Sequence, residues 1–457
     1  MKSPLVLLVN PWIYDFAAYD LWAKPLGLLY VAAWLRARGY RVQLWDAMAG
    51  YHPAMKKPVP ARRNFGTGKY YRKRVAAPAS LSSIQRPYFQ YGLPPELLKL
   101  DLESMRQDPP ELVLVTSLMT YWYPGVREAL QIVRQVFPQV PVVVGGNYAT
   151  LCPDHARAHT EADVVVEGPA EHHLPDILER LLGTSSFRGE MERDLWNGVY
   201  PAFDLLPPPS YLCVMTSRGC PYRCKYCASG LLFPSFIERT PDDVFAEIQW
   251  GFARFGVRDV AFYDDALLIH AERRLIPLLE KIIASGFPLR LHTPNGIHIG
   301  VVTPELARWM KEGGFVTLRL GYESADSDWH ARMGGKTENG DLEKAVGFLK
   351  DAGFSAAQLG VYLLIGVPGQ KPGQVEAGLE TVMRLSVFPY LAEYSPIPGT
   401  ELWEEACRAA RFDITTEPLF HNNTLLACAG DEFTETRIHR IKMMQAEARR
   451  LASAGRR

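Results

Sequence analysis

Three things are missing from this chain of 457 residues, and each absence removes a class of explanation. The cysteines do not pair off: Cys152, Cys213, Cys220, Cys224, Cys227, Cys407 and Cys428 are odd in number and scattered outside one short stretch. A secreted disulfide framework is therefore not expected, and a reducing, cytoplasmic setting is. No apolar run approaches the ~18 residues of a membrane span, so none is expected. The apolar stretch from Leu5 is too short for a signal peptide and reads as a first buried strand. Net charge is missing too: 50 Lys and Arg face 50 Asp and Glu, so no global field steers a polyanion.

Acid is missing locally. From 47 to 95 there is no Asp or Glu, but there are nine basic residues: Lys56, Lys57, Arg62, Arg63, Lys69, Arg72, Lys73, Arg74 and Arg86. Phe65, Tyr70 and Tyr71 interleave with them, as in stretches that grip phosphates and stack on rings. Arg62, Arg63, Lys69, Arg72, Lys73 and Arg74 are the candidates for a lid or clamp over an anionic group, set against the plainer reading of a solvated loop. Gly66-Thr67-Gly68-Lys69 is not a P-loop, because the glycines are too close together and Tyr70 replaces the required hydroxyl.

Apolar strands alternate with amphipathic helices along the first 190 residues. Strands are expected at 5–9, 41–45, 112–116, 140–144 and 163–166, with helices at 26–38, 124–137 and from Glu167 through Leu182. That rhythm predicts a doubly wound parallel sheet, 1–190, carrying the basic insertion at about 50–100, with its ligand at the strands' carboxyl ends. A proline-rich linker, 191–210, closes it. Six further strand-helix units fill 211–400, their strands near 211–217, 258–263, 289–293, 315–321, 358–365 and 390–394, and a helical extension ends the chain at 401–457. Thr240-Pro241-Asp242-Asp243 reads as a helix start, with a hydroxyl cap and proline in the first turn.

The most specific feature follows the first of those six strands. Ser217-Arg218-Gly219-Cys220-Pro221-Tyr222-Arg223-Cys224-Lys225-Tyr226-Cys227 sets three cysteines at C-x3-C-x2-C spacing. Three thiolates on a short loop can hold three irons of a cubane cluster and leave the fourth open to a small molecule. The alternative is a zinc knuckle, which needs four protein ligands; no second C-x2-C pair or nearby Cys/His pair supplies one.

The loop, with Tyr226 directly before its last cysteine, resembles the cluster loop of radical S-adenosylmethionine (radical SAM) enzymes. The resemblance implies a 4Fe-4S cluster on Cys220, Cys224 and Cys227, S-adenosylmethionine on its open iron, and a partial (β/α)6 barrel. Chemistry in such a barrel belongs at the strands' carboxyl ends. Asp264-Asp265 ends the second strand, Pro294-Asn295 the third, Glu323-Ser324 the fourth and Gly366-Val367-Pro368-Gly369 the fifth. By resemblance, Tyr226, Asp265, Asn295, Glu323, Ser324 and Pro368 contact S-adenosylmethionine. His292 and the pair His172 and His173 read as packing or solvated residues.

Thr116-Ser117-Leu118 and, about 25 residues on, Gly145-Gly146-Asn147 resemble the landmarks of cobalamin-binding domains. Such landmarks imply a Rossmann-like, cobalamin-binding type of first domain, with Trp122, Glu167 and Gly168 beside the same edge. Residues 10–27 contain no histidine, so no lower axial histidine is expected.

The whole chain thus resembles a cobalamin-binding-domain radical SAM enzyme. The implied function is cobalamin-dependent methylation of an unactivated carbon, with rearrangement, cyclisation or other non-methylating chemistry as the alternative. A methylthiotransferase or a non-catalytic metal-binding protein ranks lower. Expected partners are a small-molecule substrate with an anionic group and a one-electron reductant such as a flavodoxin or ferredoxin; no nucleic acid is expected.

Overall fold

A computed structural model describes residues 3–55, 64–183, 199–338 and 340–454. The chain divides into two compact units, Met1–Pro209 with Thr416–Leu419, and Ser210–Thr415 with Phe420–Arg457. Arg62 and Arg63 of the basic insertion, and most of the linker at 191–198, lie outside the described residues. No helix among the described residues is long and apolar enough to cross a membrane.

In the first unit the elements run β1 (Leu5–Asn10), β2 (Ile13–Asp15), α1 (Leu26–Ala37), β3 (Arg41–Asp46), β4 (Arg72–Val75), β5 (Tyr88–Tyr91), α2 (Pro95–Ser104) and β6 (Leu112–Val115). Then come α3 (Tyr123–Val136), β7 (Val142–Val144), α4 (Asn147–Leu151), α5 (Pro153–His159), β8 (Val164–Val165) and α6 (Leu174–Leu182). The main sheet is parallel, in the order β3-β1-β6-β7-β8. β1 and β6 are buried along their whole length, as strands covered on both faces must be. On α3 the apolar residues Val126, Ala129, Leu130, Val133 and Val136 recur at helical spacing and are buried against that sheet's core. Strand order reverses about β1, which opens a crevice at the carboxyl ends of β1 and β6.

The basic insertion is more ordered than a loop. β4 pairs antiparallel with β5, and β5 with β2, making a small three-stranded sheet with β4 at its edge. Arg72, Lys73 and Arg74 are exposed on that edge, where charged side chains discourage pairing with another strand. The helix expected from Glu167 begins later. Gly168 has φ of +77° and Pro169 is extended, so only a single 3-10 turn, Ala170–His172, precedes α6. The linker's described part, 199–209, packs on the first unit: Phe203 is buried, the Ala202 N–H donates to the Leu29 carbonyl at 3.1 Å, and Asp204 pairs with Arg36 at 2.8 Å.

The second unit begins with β9 (Leu212–Val214), β10 (Ser217–Arg218), α7 (Ser229–Leu232), β11 (Ile237–Glu238), α8 (Pro241–Phe255), β12 (Asp259–Phe262), α9 (Leu275–Ser285) and β13 (Arg290–His292). It continues through β14 (Ile297–His298), α10 (Pro304–Glu312), β15 (Phe315–Glu323), α11 (Ser327–Arg332), α12 (Asp341–Asp351), β16 (Leu359–Ile365), α13 (Pro372–Arg384), β17 (Phe388–Glu393), α14 (Trp403–Ala409) and α15 (Glu435–Ala454). Six parallel strands follow one another in chain order, β9-β12-β13-β15-β16-β17, so all six carboxyl ends share one rim. That is the partial (β/α)6 wall the resemblance implies, with α8 capped by Thr240, whose hydroxyl accepts from the Asp243 N–H at 3.2 Å.

Candidate active site

The cysteine loop follows β10 and is gripped closely by neighbouring backbone. Gly219, at φ of +80°, passes so close to Ser235 that a Cβ would stand 2.6 Å from its carbonyl oxygen. The Lys225 N–H donates to the Met333 carbonyl at 3.2 Å, and the Lys225 carbonyl accepts from the Leu402 N–H at 3.0 Å. Gly334, at φ of +123°, lets the chain after α11 pass where a Cβ would stand 3.2 Å from the Cys224 Cα.

Within the loop the Cys227 N–H donates to the Cys224 carbonyl at 3.0 Å. Burial raises the Cys220 and Cys224 thiols and pushes Cys227 up to about 11; neighbouring thiols add to the effect at Cys220 and Cys227, whereas at Cys224 the Glu323 charge adds to it and Lys336 opposes it. Among the described residues no three His, Cys, Asp or Glu side chains converge as they would on a single ion. A cubane asks for something different, three soft thiolates each on its own iron, and Cys220, Cys224 and Cys227 fit that demand. Iron binding would drive the protons off, since thiolate is the ligating form.

Around the loop, the two neighbouring carboxylates after β12 divide their tasks. Asp264 is buried and structural: it accepts from the Thr216 N–H at 3.0 Å, the Thr216 hydroxyl at 2.6 Å and the Ser217 hydroxyl at 2.7 Å. Asp265 turns toward the cysteines and accepts from the Ser229 hydroxyl at 2.6 Å. It retains accessible surface, yet the protein around it desolvates the carboxyl and raises its pKa. Asn295 is exposed, with its amide nitrogen donating to the Tyr263 carbonyl at 2.9 Å.

Glu323 is the meeting point. Its carboxylate accepts from the Tyr226 hydroxyl and from the Lys336 ammonium. The residue holds a left-handed φ of +72°, strain that persists only because its surroundings over-determine it. Burial raises the Tyr226 phenol, and the Glu323 charge raises it further. Burial would lower Lys336, but Glu323 and the nearby thiols outweigh that and its pKa is raised. Lys336 belongs to no motif read from the sequence; its only signal is a lysine after Gly334-Gly335. Tyr226 also stacks on Trp329 with centroids 6.0 Å apart.

The remaining rim residues are held back. Ser324 is buried, and its hydroxyl accepts from the Asp326 N–H at 3.1 Å at the start of α11. The Pro368 carbonyl accepts from Arg332 at 3.3 Å. Gln370, also missed by the motifs, closes that turn by accepting from the Gly366 N–H at 2.8 Å and donating to the Leu364 carbonyl at 2.9 Å. His298 packs at a tilt against Tyr222 of the cysteine loop with centroids 4.3 Å apart. His292 is fully buried and satisfied on both nitrogens, by Thr317 at 2.8 Å and Asp259 at 3.0 Å.

At the carboxyl edge of the first unit's sheet, Ser117, Gly145, Gly146 and Asn147 come together. The Ser117 hydroxyl donates to the Gly145 carbonyl at 2.7 Å, and the Ser117 carbonyl accepts from the Asn147 N–H at 2.8 Å. Next to Ser117, Leu118 and Met119 are 39% and 38% exposed, an apolar ledge beyond a strand end that a flat macrocycle could cover. Gly168 has open space where a Cβ would stand. This donor-poor, small-residue edge fits a bulky cofactor held by shape. Thr116 continues β6 through its N–H to the Val9 carbonyl at 3.1 Å. Trp122 is half-buried with its indole N–H on Asp15 at 2.8 Å, and Glu167 is engaged in an ion pair with Arg157. Arg72 stacks on Phe89 at 4.3 Å, and Lys69 is exposed.

Comparison with known proteins matches each unit separately. The radical SAM superfamily profile matches residues 214–382, and the B12 binding domain profile matches residues 101–178. An uncharacterised methyltransferase of Pyrococcus horikoshii is 28% identical, covering 69% of this chain and 73% of that protein. Cytidylyl-2-hydroxyethylphosphonate methyltransferase of Streptomyces wedmorensis is 23% identical over 89% of this chain and 82% of its own length. Among solved structures, the radical S-adenosylmethionine methyltransferase TsrM of Kitasatospora setae shares the fold, with a TM-score of 0.64 and 18% identity over 90% of this chain and 77% of TsrM.

Proposed function

This chain belongs to the cobalamin-binding-domain radical SAM enzymes, and from that premise we propose that it transfers a methyl group to an unactivated carbon of a small molecule. The observation that carries the reading is the convergence of Tyr226, Glu323 and Lys336 beside three cysteines spaced for a cluster with one open iron. When bound, the cluster and S-adenosylmethionine supply a 5'-deoxyadenosyl radical and cobalamin supplies the methyl group.

The chain's own residues do the holding. Cys220, Cys224 and Cys227 take three irons, on a loop that Gly219 and Gly334 let the surrounding backbone grip. Asp265, steadied by Ser229, faces the loop as a carboxylate able to take an ammonium. Glu323, held between Tyr226 and Lys336, offers acceptor oxygens for ribose hydroxyls, while Lys336 brings positive charge for a carboxylate. Asn295 keeps its amide oxygen for a hydroxyl, and the turn at Pro368, braced by Gln370, presents backbone to a planar base. Ser117, Gly145, Gly146, Asn147 and Gly168 line the edge where a corrinoid's nucleotide arm can approach backbone closely. The exposed strand Arg72-Lys73-Arg74 serves as an anion clamp in this reading.

A one-electron reductant such as a flavodoxin or ferredoxin is needed, and the cytoplasm supplies one. Methylthiolation is not favoured. That chemistry asks for a second cluster, whereas Cys152 is the first unit's single cysteine and burial pushes its thiol up to about 12.

The test uses protein purified anaerobically from cobalamin-fed cells and reconstituted with iron and sulfide. A corrinoid absorption band, 5'-deoxyadenosine formed under reductant, and label passing from methyl-labelled S-adenosylmethionine to product support the reading. A cluster that cleaves S-adenosylmethionine without any bound corrinoid would sink the methyl-transfer part, and no cleavage at all would sink the whole.

A further inference from the structure

We propose that Arg319 and Arg449 form an oxyanion site beside Tyr390, which takes the phosphate or carboxylate end of the substrate. Arg319 lies on β15 and is only 7% exposed. One of its Nη atoms donates to the neighbouring Leu318 carbonyl at 3.2 Å, and its Nε is buried without a partner. The guanidinium lies 4.4 Å from the centre of the Tyr390 ring. Space for this arrangement is left by Gly360, where a Cβ would stand 2.9 Å from an Arg319 Nη and 2.6 Å from the Tyr390 ring.

A second guanidinium comes to the same ring from another element. Arg449 on α15 sits 4.8 Å from the Tyr390 centroid, with its Nε donating to the Pro389 carbonyl at 3.1 Å and an Nη donating to the Gln445 side-chain oxygen at 3.2 Å, both neutral partners. Elsewhere α15 matches its arginines with acids: Arg437 and Arg440 to Glu376, and Arg450 to Glu447. Among the described residues neither Arg319 nor Arg449 has an ion pair. The nearby titratable groups do not supply a counter-charge. His292 is bound by Thr317 and Asp259, and the Tyr362 hydroxyl donates to the Pro294 carbonyl at 2.8 Å while accepting from Arg319 as a neutral partner.

Two cations on one ring, one of them almost fully buried and neither offset by a carboxylate, are costly unless an anion joins them. Contact with the face of Tyr390 lessens that cost without neutralising either charge. A guanidinium's planar fork matches two oxygens at once, so the anion that suits the pair is a phosphate or a carboxylate rather than a halide. The inference deepens the proposed function by naming the substrate's chemical class, and it rests on that reading for the anion's being part of the substrate.

Thermal unfolding of the reconstituted full chain, at constant ionic strength in sodium phosphate, acetate or chloride, tests it. Phosphate or acetate should raise the wild-type unfolding temperature over chloride, and the more effective anion identifies the end group. Arg319→Met and Arg449→Met should each weaken that anion's apparent affinity at least tenfold, with Arg319→Lys between. In chloride, Arg319→Met should unfold no earlier than the wild type, because an unpaired buried charge has gone.

Equal anion shifts in wild type and Arg449→Met, or no shift in the wild type with either anion, overturn the proposal. So does an Arg319→Met protein that unfolds earlier in chloride, which would make Arg319 a structural tie. Wild-type 5'-deoxyadenosine formation is read separately: its absence would defeat the reading of the cysteine loop and leave the anion shift standing.

Discussion

Gly146 lies directly under Ser117: a Cβ at 146 would stand 2.3 Å from the Ser117 carbonyl oxygen and 2.9 Å from its nitrogen. The glycine also holds φ of +94° with ψ of −167°, a region open essentially to glycine alone. Gly146→Ala should therefore cost roughly 1–3 kcal/mol from backbone strain, with the collision added. Because that edge belongs to the first unit, the variant should lose its corrinoid absorption band while keeping full iron and sulfide content. A variant with normal corrinoid content would show that this edge is not where the cofactor sits.

Replacing Cys220, Cys224 or Cys227 singly with Ala should abolish the cluster's absorbance and the S-adenosylmethionine cleavage that depends on it. Cys152→Ala should keep about the wild-type iron content, since its half-buried thiol belongs to the other unit. Iron and acid-labile sulfide per chain, with the electron paramagnetic resonance of the reduced protein, settle both. Loss of iron in Cys152→Ala would contradict the assignment.

Glu323 and Lys336 are mostly buried, their side chains 11% and 19% exposed. Glu323→Gln leaves an ammonium without its counter-charge and should cost about 3 kcal/mol of stability; Lys336→Met should cost a comparable amount. The double variant should cost about 1–3 kcal/mol less than the two single losses together. S-adenosylmethionine binding, followed by calorimetry on reconstituted protein, should weaken about tenfold in either single variant. Simple additivity would mean that the pair is not coupled.

His421 gives a pH prediction away from the cysteines. It is 1% exposed, its Nε2 donates to the Ile414 carbonyl at 2.8 Å, and burial holds its pKa down to about 4. The unfolded chain binds this proton near pH 6.5, so between those values the unfolded state carries more protons and stability rises with pH. The contribution is fully present above about pH 6.5 and is lost progressively toward pH 4, by up to roughly 3 kcal/mol. Denaturant midpoints measured from pH 7.5 to 5 should fall less steeply for His421→Gln than for the wild type. Parallel slopes would rule the histidine out.

The parallel strands could be read from the sequence because each is a short, almost wholly apolar run, and burial on both faces asks for nothing else. The cysteine loop was legible for a similar reason: its spacing is itself the chemistry. The small antiparallel sheet was not, because Arg72-Lys73-Arg74 shows no alternation of apolar and polar residues; its place is fixed by backbone pairing to β5. Sequence placed two carboxylates after the second barrel strand, and only the Thr216 and Ser217 hydroxyls show that Asp264 serves the fold while Asp265 stays available. Lys336 and Gln370 reach the site from loops beyond the strand ends, where no periodicity marks them. Helix α11, six residues long, is set by the Asp326 cap and is too short to announce itself.

Among the described residues the six-stranded wall of the second unit does not close on itself, and β17 ends the sheet with no strand on its outer side. α15 lies along that margin, where Arg449 takes the Pro389 carbonyl. Proteins shortened to end before Glu435 would bare this margin and offer it to a second copy, adding strand to strand. They should self-associate and precipitate rather than yield a trimmed, working catalyst, which would make α15 a guard on solubility as well as a packing element.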